Sequence, residues 1–428
     1  MKAGARVCVL GAGIVGAATA YALARDGWRV TLVDANARPG LGASTANGGQ
    51  LSYSYVEPLA TPAALRSLPR WLLSADSPLR WRPRAEAAHL RWLFQFVVAC
   101  RWSQVQATTD ALLGLSFLSR EVLHRWLDEV PGLRESARHA MPGKLVIFRD
   151  AGYRAAAQRQ IDWQRGHGCR QHIADAAECV RLEPALAATG GGAIAFGVWT
   201  ADEEVADAAR LAEGLAAASG ATLRLGLTAL AFERRGGKVV ALRCQGRGRF
   251  TNPVESIEAD HFVLAGGPAS SGILRSLGLS LPIEPIRGYS VTLPIADEAA
   301  APKVSITDNG RKLVHARLGD RLRVAGFAEL CGPHPVVDAR RIEALCRAVE
   351  QTFPGACDVS QPEPWAGLRP ATPSGRPMVG GTRIGNLWIN AGQGALGLTL
   401  AAGSAELLSA LMSGRPPPVP ADRFRVPA

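Results

Sequence analysis

The sequence predicts an α/β protein, α+β when the whole chain is counted, with two domains. Three observations carry this. Arg6 to Asp34 reads as strand, glycine turn, helix and second strand. Beyond it, β-branched runs alternate with apolar residues at helical spacing. The chain has 428 residues, 47% hydrophobic and 20% charged, which marks a globular protein large enough for two cores.

Arg6-Val7-Cys8-Val9-Leu10 has the unbroken apolar pattern of a buried parallel strand. Gly11, Gly13 and Gly16 follow as G-x-G-x-x-G, with Ala12, Ile14 and Val15 between them. Ile14 to Ala24 is Ala-rich and helical, and Gly27 stops it. Arg29 to Val33 is a second strand ending on Asp34 and Ala35. In dinucleotide chemistry Gly11 permits the tight turn, Gly13 lets the backbone approach a pyrophosphate, and Gly16 lets the helix close onto the strand. The phosphates then lie on unpaired N–H groups at the positive end of the helix. Asp34, 18 residues beyond Gly16, is placed to accept hydrogen bonds from a ribose. Val7 to Ala24 is also 18 residues without a charge, the composition of a short membrane anchor, but the glycine turn breaks it.

The next stretch, Arg38 to Gln50, contains Ser44-Thr45-Ala46-Asn47-Gly48-Gly49-Gln50 and suits a loop lying flat on a large ligand. Leu51 to Tyr55 alternates like a strand. Leu65 to Ser103 then sets Trp71, Trp81, Trp92 and Trp102 among seven arginines, with Asp76 and Glu86 the only acids. Two readings stand: a segment seated in the headgroup zone of an anionic membrane, or a helical hairpin packed within a domain.

Thr108 to Val130 reads as a helix, Lys144 to Phe148 as a strand and Ala151 to Gly166 as a helix. A Gly190–Gly192 loop precedes a strand over Ala193 to Thr200, and Asp202 caps a helix over Val205 to Ser219. Strands follow at 222–234, 238–245 and 257–265, the last running through Ala265 into Gly266-Gly267, a second strand–glycine–helix joint. Arg287-Gly288-Tyr289-Ser290 opens a region whose 303–328 portion reads as a meander, and Arg340 to Phe353 is a helix. Trp365 to Gly375 is a rigid segment bounded by Pro and Gly. Asn386 to Asn390 is a strand, and Gly392-Gln393-Gly394-Ala395-Leu396-Gly397 opens a helix through Leu398 and Thr399 to Met412. Too little chain remains behind it for a second nucleotide fold, so this helix N-terminus is expected to close back on the first site. The Pro416 to Pro420 tail is expected to fray.

The eight cysteines form no C-x-x-C pair and read as free thiols in a reducing compartment; no metal site is expected. The net charge is +11, yet only five of the 48 basic residues are lysines, and no basic helix or zinc module accompanies them. No nucleic-acid partner is expected.

Several spaced motifs, namely the N-terminal fingerprint, Ser44 to Gln50, Arg287 to Ser290, Gly367-Leu368-Arg369-Pro370 and Asn386 to Gly397, resemble in order those of flavin-dependent D-amino-acid dehydrogenases, within the D-amino-acid oxidase and glycine oxidase superfamily. The resemblance spans nearly the whole chain. It implies bound FAD in a Rossmann-type domain (1–55, 175–282 and 366–428) and a substrate domain (56–174 and 283–365) with a large, mostly antiparallel sheet. It implies oxidation of D-amino acids to 2-oxo acids and ammonia, with electrons passing to a quinone or other acceptor. The protein is then cytoplasmic, peripheral on the inner membrane where the tryptophan-rich segment docks. By the resemblance Arg369 binds the substrate carboxylate, and Tyr289 and Tyr53 are candidate pocket walls. Flavin contacts fall on the fingerprint, Asp34, Ala35, Ser44, Thr45, Asn47 to Leu51, Ala229, Ala265 to Gly267, Gly392 and Gly394 to Thr399. Gln393, Leu398 and Ser374 stand where relatives often have His, Trp and Asp. Leu51 to Tyr55 also resembles dehydrogenases of D-hydroxyproline, leaving a cyclic imino acid as an alternative substrate. An oxygen-using oxidase of glycine or sarcosine is the other.

Overall fold

The structure is a computed structural model that describes residues 4–66, 79–82, 84–189, 192–246, 253–330 and 332–427. At its centre β1 (Arg6–Leu10) lies between β2 (Arg29–Asp34) and β13 (His261–Leu264), all parallel. Parallel strands β20 (Leu387–Ala391) and β9 (Thr222–Leu225) extend the two sides, and β19 (Met378–Gly381) closes one edge antiparallel. Both faces are covered, which is why β1 needs no polar alternation.

Helix α1 (Ile14–Arg25) packs on this sheet together with α6 (Gly397–Ser413), and α3 (Trp102–Glu129) packs on α6. Small residues set the spacing. Ala17, Ala18 and Ala20 of α1 share one core with Ala401, Ala402 and Ala405 of α6 and with Leu112, Leu115 and Trp126 of α3. A Cβ at Gly403 would lie 2.6 Å from the Leu115 carbonyl oxygen, so this glycine lets two helices touch by their backbones. The helical stretch Gly394–Ser413, which contains α6, is long and apolar enough to cross a membrane by composition, but most of it is buried here. The reading of Val7 to Ala24 as an anchor is excluded by the strand, turn and 12-residue helix that it forms.

The second layer is a nine-stranded sheet in the order β18 (Glu363–Ala371), β14 (Glu284–Pro294), β17 (Arg321–Leu330), β16 (Leu313–Leu318), β15 (Ser305–Asp308), β5 (Lys144–Phe148), β7 (Phe196–Thr200) and β6 (Gln171–Asp175), with β4 (Leu79–Trp81) beside β17. Among the described residues only β15–β5 and β17–β4 are parallel pairs in this sheet. One face packs on α5 (Ala339–Thr352) through Tyr289, Val291, Leu293, Leu345 and Val349. The other carries Ser290, whose hydroxyl donates to Ala46 O at 2.6 Å, and so faces the glycine-rich loop.

Several expectations are corrected. The strand foreseen at 222–234 breaks at Gly226, whose φ of +73° turns the chain out of the parallel sheet into β10 (Leu227–Arg235) of a separate three-stranded sheet. The foreseen 257–265 strand is likewise two, β12 (Val254–Glu258) and β13. Glu204–Val205 is not helical. It forms β8, paired with Gln50–Leu51 (β3), and α4 (Ala208–Ala218) is capped by Asp207 rather than Asp202. Asp202 is instead occupied by Arg120 at 2.8 Å. Trp365 to Ala371 is edge strand β18, where Pro364 and Pro370 are tolerated because only one neighbour pairs with it. The tail does not fray freely, since Phe424 is 2% exposed in the first core. The domain division is also cut differently by packing. Strand β7, expected with the nucleotide domain, pairs in the large sheet, and α3, expected with the substrate domain, packs in the nucleotide-side core. Trp71, Gly190 and Gly191 lie outside the described residues.

Candidate active site

The nucleotide end is built by backbone. A Cβ on Gly11, at φ +108°, would strike the Ala265 carbonyl, and one on Gly16 would strike Gly11 O, so both glycines are forced by close approach. This is where Ala265 and Gly266 meet the N-terminal turn, as the second glycine joint suggested. The N-terminus of α1 at Gly13 has no side-chain cap. Ile14 N donates to Ser44 Oγ at 3.0 Å, which draws the loop over the helix end. Asp34 is held by Ala12 N at 2.7 Å through Oδ2 and by Asn36 N at 2.7 Å through Oδ1, leaving further lone pairs on the same oxygens.

The loop is clamped from both layers. Ser290 holds Ala46, Asn47 Oδ1 accepts from Gly49 N at 3.0 Å, and Gln50 Nε2 donates to Ser305 Oγ at 2.6 Å. A Cβ on Gly48 would lie 2.8 Å from Val314 Cγ2 of β16. Ser52 N donates to Thr399 Oγ1 at 3.1 Å, tying the loop to the start of α6. That helix begins after a 3-10 turn over Gly394–Leu396, again without a side-chain cap, and Gly394 and Gly397 open onto free space. Leu398 is buried, Gly392 at φ +90° abuts Thr372, and Ala229 lies on β10 against the core around Val33, Phe262 and Leu264. Two helix ends that lack a side-chain cap from their own N-cap residues, a close-approach glycine turn and a fixed acid at the end of β2 make a cradle that fits a dinucleotide.

The substrate end is set by the β14–β18 ladder, in which Ile286 pairs with Arg369 and Gly288 with Gly367. The Arg369 guanidinium lies over Gly288, where a Cβ would collide with it. Its Nη1 donates to Phe327 O at 2.8 Å. Phe327 takes a left-handed backbone, φ +59°, at a register shift between β14 and β17, and this turns its carbonyl towards Arg369. No carboxylate pairs with Arg369 among the described residues, and burial without a counter-charge pulls its guanidinium down to about 10. It is still a cation at neutral pH.

The neighbouring arginines differ. Arg341 and Arg287 both reach Glu329, Arg341 Nη2 at 2.9 Å and Arg287 Nη1 at 3.7 Å. Tyr289 donates to Glu329 Oε2 at 2.8 Å and is 1% exposed. Burial pushes its hydroxyl up to about 12, and the Glu329 contact adds to that. Tyr289 is thus turned to the α5 side of the sheet, away from Ser290, Gly288 and Arg369. Tyr53 is also fully buried, donating to Glu204 Oε2 at 3.0 Å, and burial raises its hydroxyl well above the ordinary value. The expected grouping of Arg369 with two tyrosine walls is therefore not what the fold assembles. Both tyrosines sit in core networks: on β14 it is Gly288 and Ser290, the neighbours of Tyr289, that face the loop, and Tyr53 lies in a bend beyond Gln50–Leu51 with its ring turned to Glu204.

Glu204 gathers His124 Nε2 at 2.6 Å and His139 Nε2 at 2.7 Å. Arg134 donates to His139 Nδ1 at 3.0 Å, so Nδ1 is the acceptor and Nε2 carries the proton towards Glu204. These three residues lie close enough to ligate an ion, but the proton assignment makes them a hydrogen-bonded cluster. Sequence spacing gave no sign of it, nor of Lys144, which is 2% exposed and donates to Ser52 Oγ at 2.8 Å behind the loop. Burial lowers the Lys144 ammonium, and Glu203 nearby raises it in part.

A family model described as FAD dependent oxidoreductase matches residues 6–411. A protein of Ralstonia nicotianae named D-amino acid dehydrogenase 2 is 44% identical, covering 97% of this chain and 98% of its own. One of the same name from Pseudomonas aeruginosa is 43% identical, covering 97% and 96%. Among solved structures, glycine oxidase from Bacillus cereus aligns with a TM-score of 0.72 at 17% identity over 99% of both chains. L-proline dehydrogenase from P. horikoshii aligns at 0.74 and 15% identity, over 99% of this chain and 97% of its own. At these identities the structures speak to fold.

Proposed function

The chain belongs to the family of FAD-dependent oxidoreductases, and from that membership we propose that it oxidises D-amino acids and passes the electrons to an acceptor other than oxygen. End-to-end relatives named D-amino acid dehydrogenase support the reaction class. The observation that carries the substrate reading is Arg369, a cation with no carboxylate partner among the described residues, braced by a backbone carbonyl and laid over a glycine. A planar guanidinium so placed grips a carboxylate by two parallel N–H bonds and fixes the orientation of the α-carbon.

Bound FAD supplies the acceptor for a hydride from that carbon. The chain's own part is binding and orientation. The α1 N-terminus and the Ser44 loop would hold the pyrophosphate and Asp34 the ribose, and Ala46 to Gln50, pinned by Ser290 and Ser305, would hold the flavin end. The substrate loses its α-hydrogen with the bonding pair and a proton from its amine. Water then converts the imino acid to a 2-oxo acid and ammonia.

The acceptor reading draws on α2 (Ala87–Ala99). It buries His89, Trp92 and Phe96 and turns Leu90, Phe94 and Val97 outwards, 54, 70 and 47% exposed, near the exposed Trp102. Both readings of the tryptophan-rich segment thus find support in one helix, with a packed side and an apolar outer side. We place this outer face against an anionic membrane, where a quinone is at hand. The resemblance to D-hydroxyproline dehydrogenases gains little, since Tyr53 and the Tyr55 ring beneath Lys144 point into the interior.

Anaerobic flavin bleaching across D-, L- and N-methyl amino acids and both hydroxyproline epimers tests the proposal. Reduction by D-amino acids and little peroxide under air are expected. Reduction by L-isomers alone, or stoichiometric peroxide, overturns it.

A further inference from the structure

A second concave site lies on the same face of the large sheet as Arg369, beyond the flavin loop. Along β14, Gly288 lies under Arg369 and Ser290 holds Ala46. Thr292 is four residues on from Gly288, about 13 Å at the rise of a strand. There Thr292, with Arg323 of β17 and Leu318 of β16, borders a cavity of about 410 Å³ closed by Arg38 and the start of α4. Neither Asp34, Gly13 nor Ser44 lines it, and the Thr45 hydroxyl on its rim turns back to Gly40 O and Gly42 O at 3.2 and 2.9 Å. It is separate from the dinucleotide cradle.

Its charge is uneven. Five guanidinium groups line it against three carboxylates, and each carboxylate is already engaged. Glu213 takes Arg38 at 2.6 Å, and Glu363 takes Arg321 at 2.6 Å. Asp207 caps α4 and takes Arg323 Nη2 at 3.3 Å. The Arg210 side chain has no partner among the described residues, and Arg138 donates to Leu318 O at 2.6 Å and pairs with Asp320 at 3.3 Å. The decisive group is Arg323. It is 7% exposed, its Nε donates to Thr292 Oγ1 at 3.1 Å, and its buried Nη1 has no acceptor among the described residues. The buried Arg321 Nε is in the same condition. A buried charged donor left unpaired is costly, so the site as built lacks an acceptor.

We propose that this cavity binds a small oxyanion, a phosphoryl or carboxylate group on a small molecule, through Arg323 and Arg321 with Arg210 at the mouth. Arginine suits this because its flat fork meets two oxygens at once. A neighbouring hollow of about 470 Å³ shares Arg321 and Glu363, which leaves room for the body of such a ligand outside the charged pocket.

The test is calorimetry and thermal unfolding of the flavin-loaded protein titrated with inorganic phosphate and with malonate, against chloride at matched ionic strength. Saturable one-site binding and stabilisation by phosphate or malonate are expected. Preference for phosphate assigns the phosphoryl class, and preference for malonate the carboxylate class. Arg323→Met is expected to weaken binding about tenfold or more. Since Arg323 also holds Asp207, Arg210→Gln serves as a variant that leaves the fold intact and still weakens binding severalfold. Because Arg369 also grips carboxylates, the two anions are compared in Arg369→Ala as well, which should bind phosphate at one site like the parent. An effect no greater than that of chloride, parental binding in both Arg210→Gln and Arg323→Met, or loss of phosphate binding in Arg369→Ala overturns the proposal.

Discussion

Arg369 and Gly288 make one unit, because the guanidinium occupies the volume that any side chain at 288 would need. Arg369→Lys keeps the charge but loses the fork. A charge-assisted hydrogen bond is worth about 1.5–3 kcal/mol, so substrate binding is expected to weaken roughly 10- to 150-fold with FAD content unchanged. Gly288→Ala is the sharper probe, since it leaves Arg369 in place chemically but pushes it off its seat. The expected result is a raised KM, again with full flavin. Stopped-flow flavin reduction against substrate concentration measures both, and parental values in a folded, yellow Arg369→Ala protein would return the residue to a structural role. Arg287 is a poor substitute as carboxylate binder, because it already faces Glu329.

At the scale of elements, β3 and β8 are held behind the flavin loop by Glu204 and its two histidines. Burial alone would raise the Glu204 carboxyl, but the hydrogen bonds from His124 and His139 outweigh it and hold it at about 2 instead of 4.5. A depressed carboxyl contributes stability that is complete above 4.5 and lost as pH falls through about 2. At about 1.4 kcal/mol per unit the contribution is on the order of 3 kcal/mol. Urea midpoints of the parent should therefore fall across that acid window more steeply than those of Glu204→Gln, which starts lower at neutral pH. Parallel pH profiles would contradict it. Helix α2 supplies the other test at this scale. Sinking an apolar side chain fully gains about 1.5–3 kcal/mol, so Phe94→Asp should cut co-sedimentation with anionic vesicles roughly tenfold or more. Salt should weaken the parent's binding too. Parental binding by Phe94→Asp, or no binding by the parent at low salt, removes α2 from any membrane contact.

Across the whole molecule, two sheets meet at one loop, and on the function proposed above the flavin lies where they meet. The protein should release FAD, not FMN, on denaturation, because Asp34 stands where only the adenosine half has a ribose to offer. Gly11→Ala should lose most of its flavin, since the added methyl meets the Ala265 carbonyl; a fully flavinated variant would refute the turn's role. Much of this was legible in the sequence. Arg6 to Asp34 contains a complete local code, in which period, glycine spacing and a terminal acid agree, so strand, turn and helix follow from neighbours in the chain. The Gly392 to Gly397 motif likewise told of a helix returning to the first site. Where the chemistry depends on which face of a strand looks where, the sequence was silent. Arg369 was expected at the substrate carboxylate and Tyr289 at a pocket wall, and only the pairing of β14 with β18 and β17 turns the tyrosine to α5 and the arginine over Gly288. Among the described residues, the Arg369 guanidinium without a carboxylate and the open Nη1 of Arg323 are facts about what does not come near them. Those surroundings are set by residues from 31 to 116 positions apart in the chain, and so tertiary packing decides them: local periodicity fixes an element, but the charge balance of a site is fixed by what the fold brings, or fails to bring, against it.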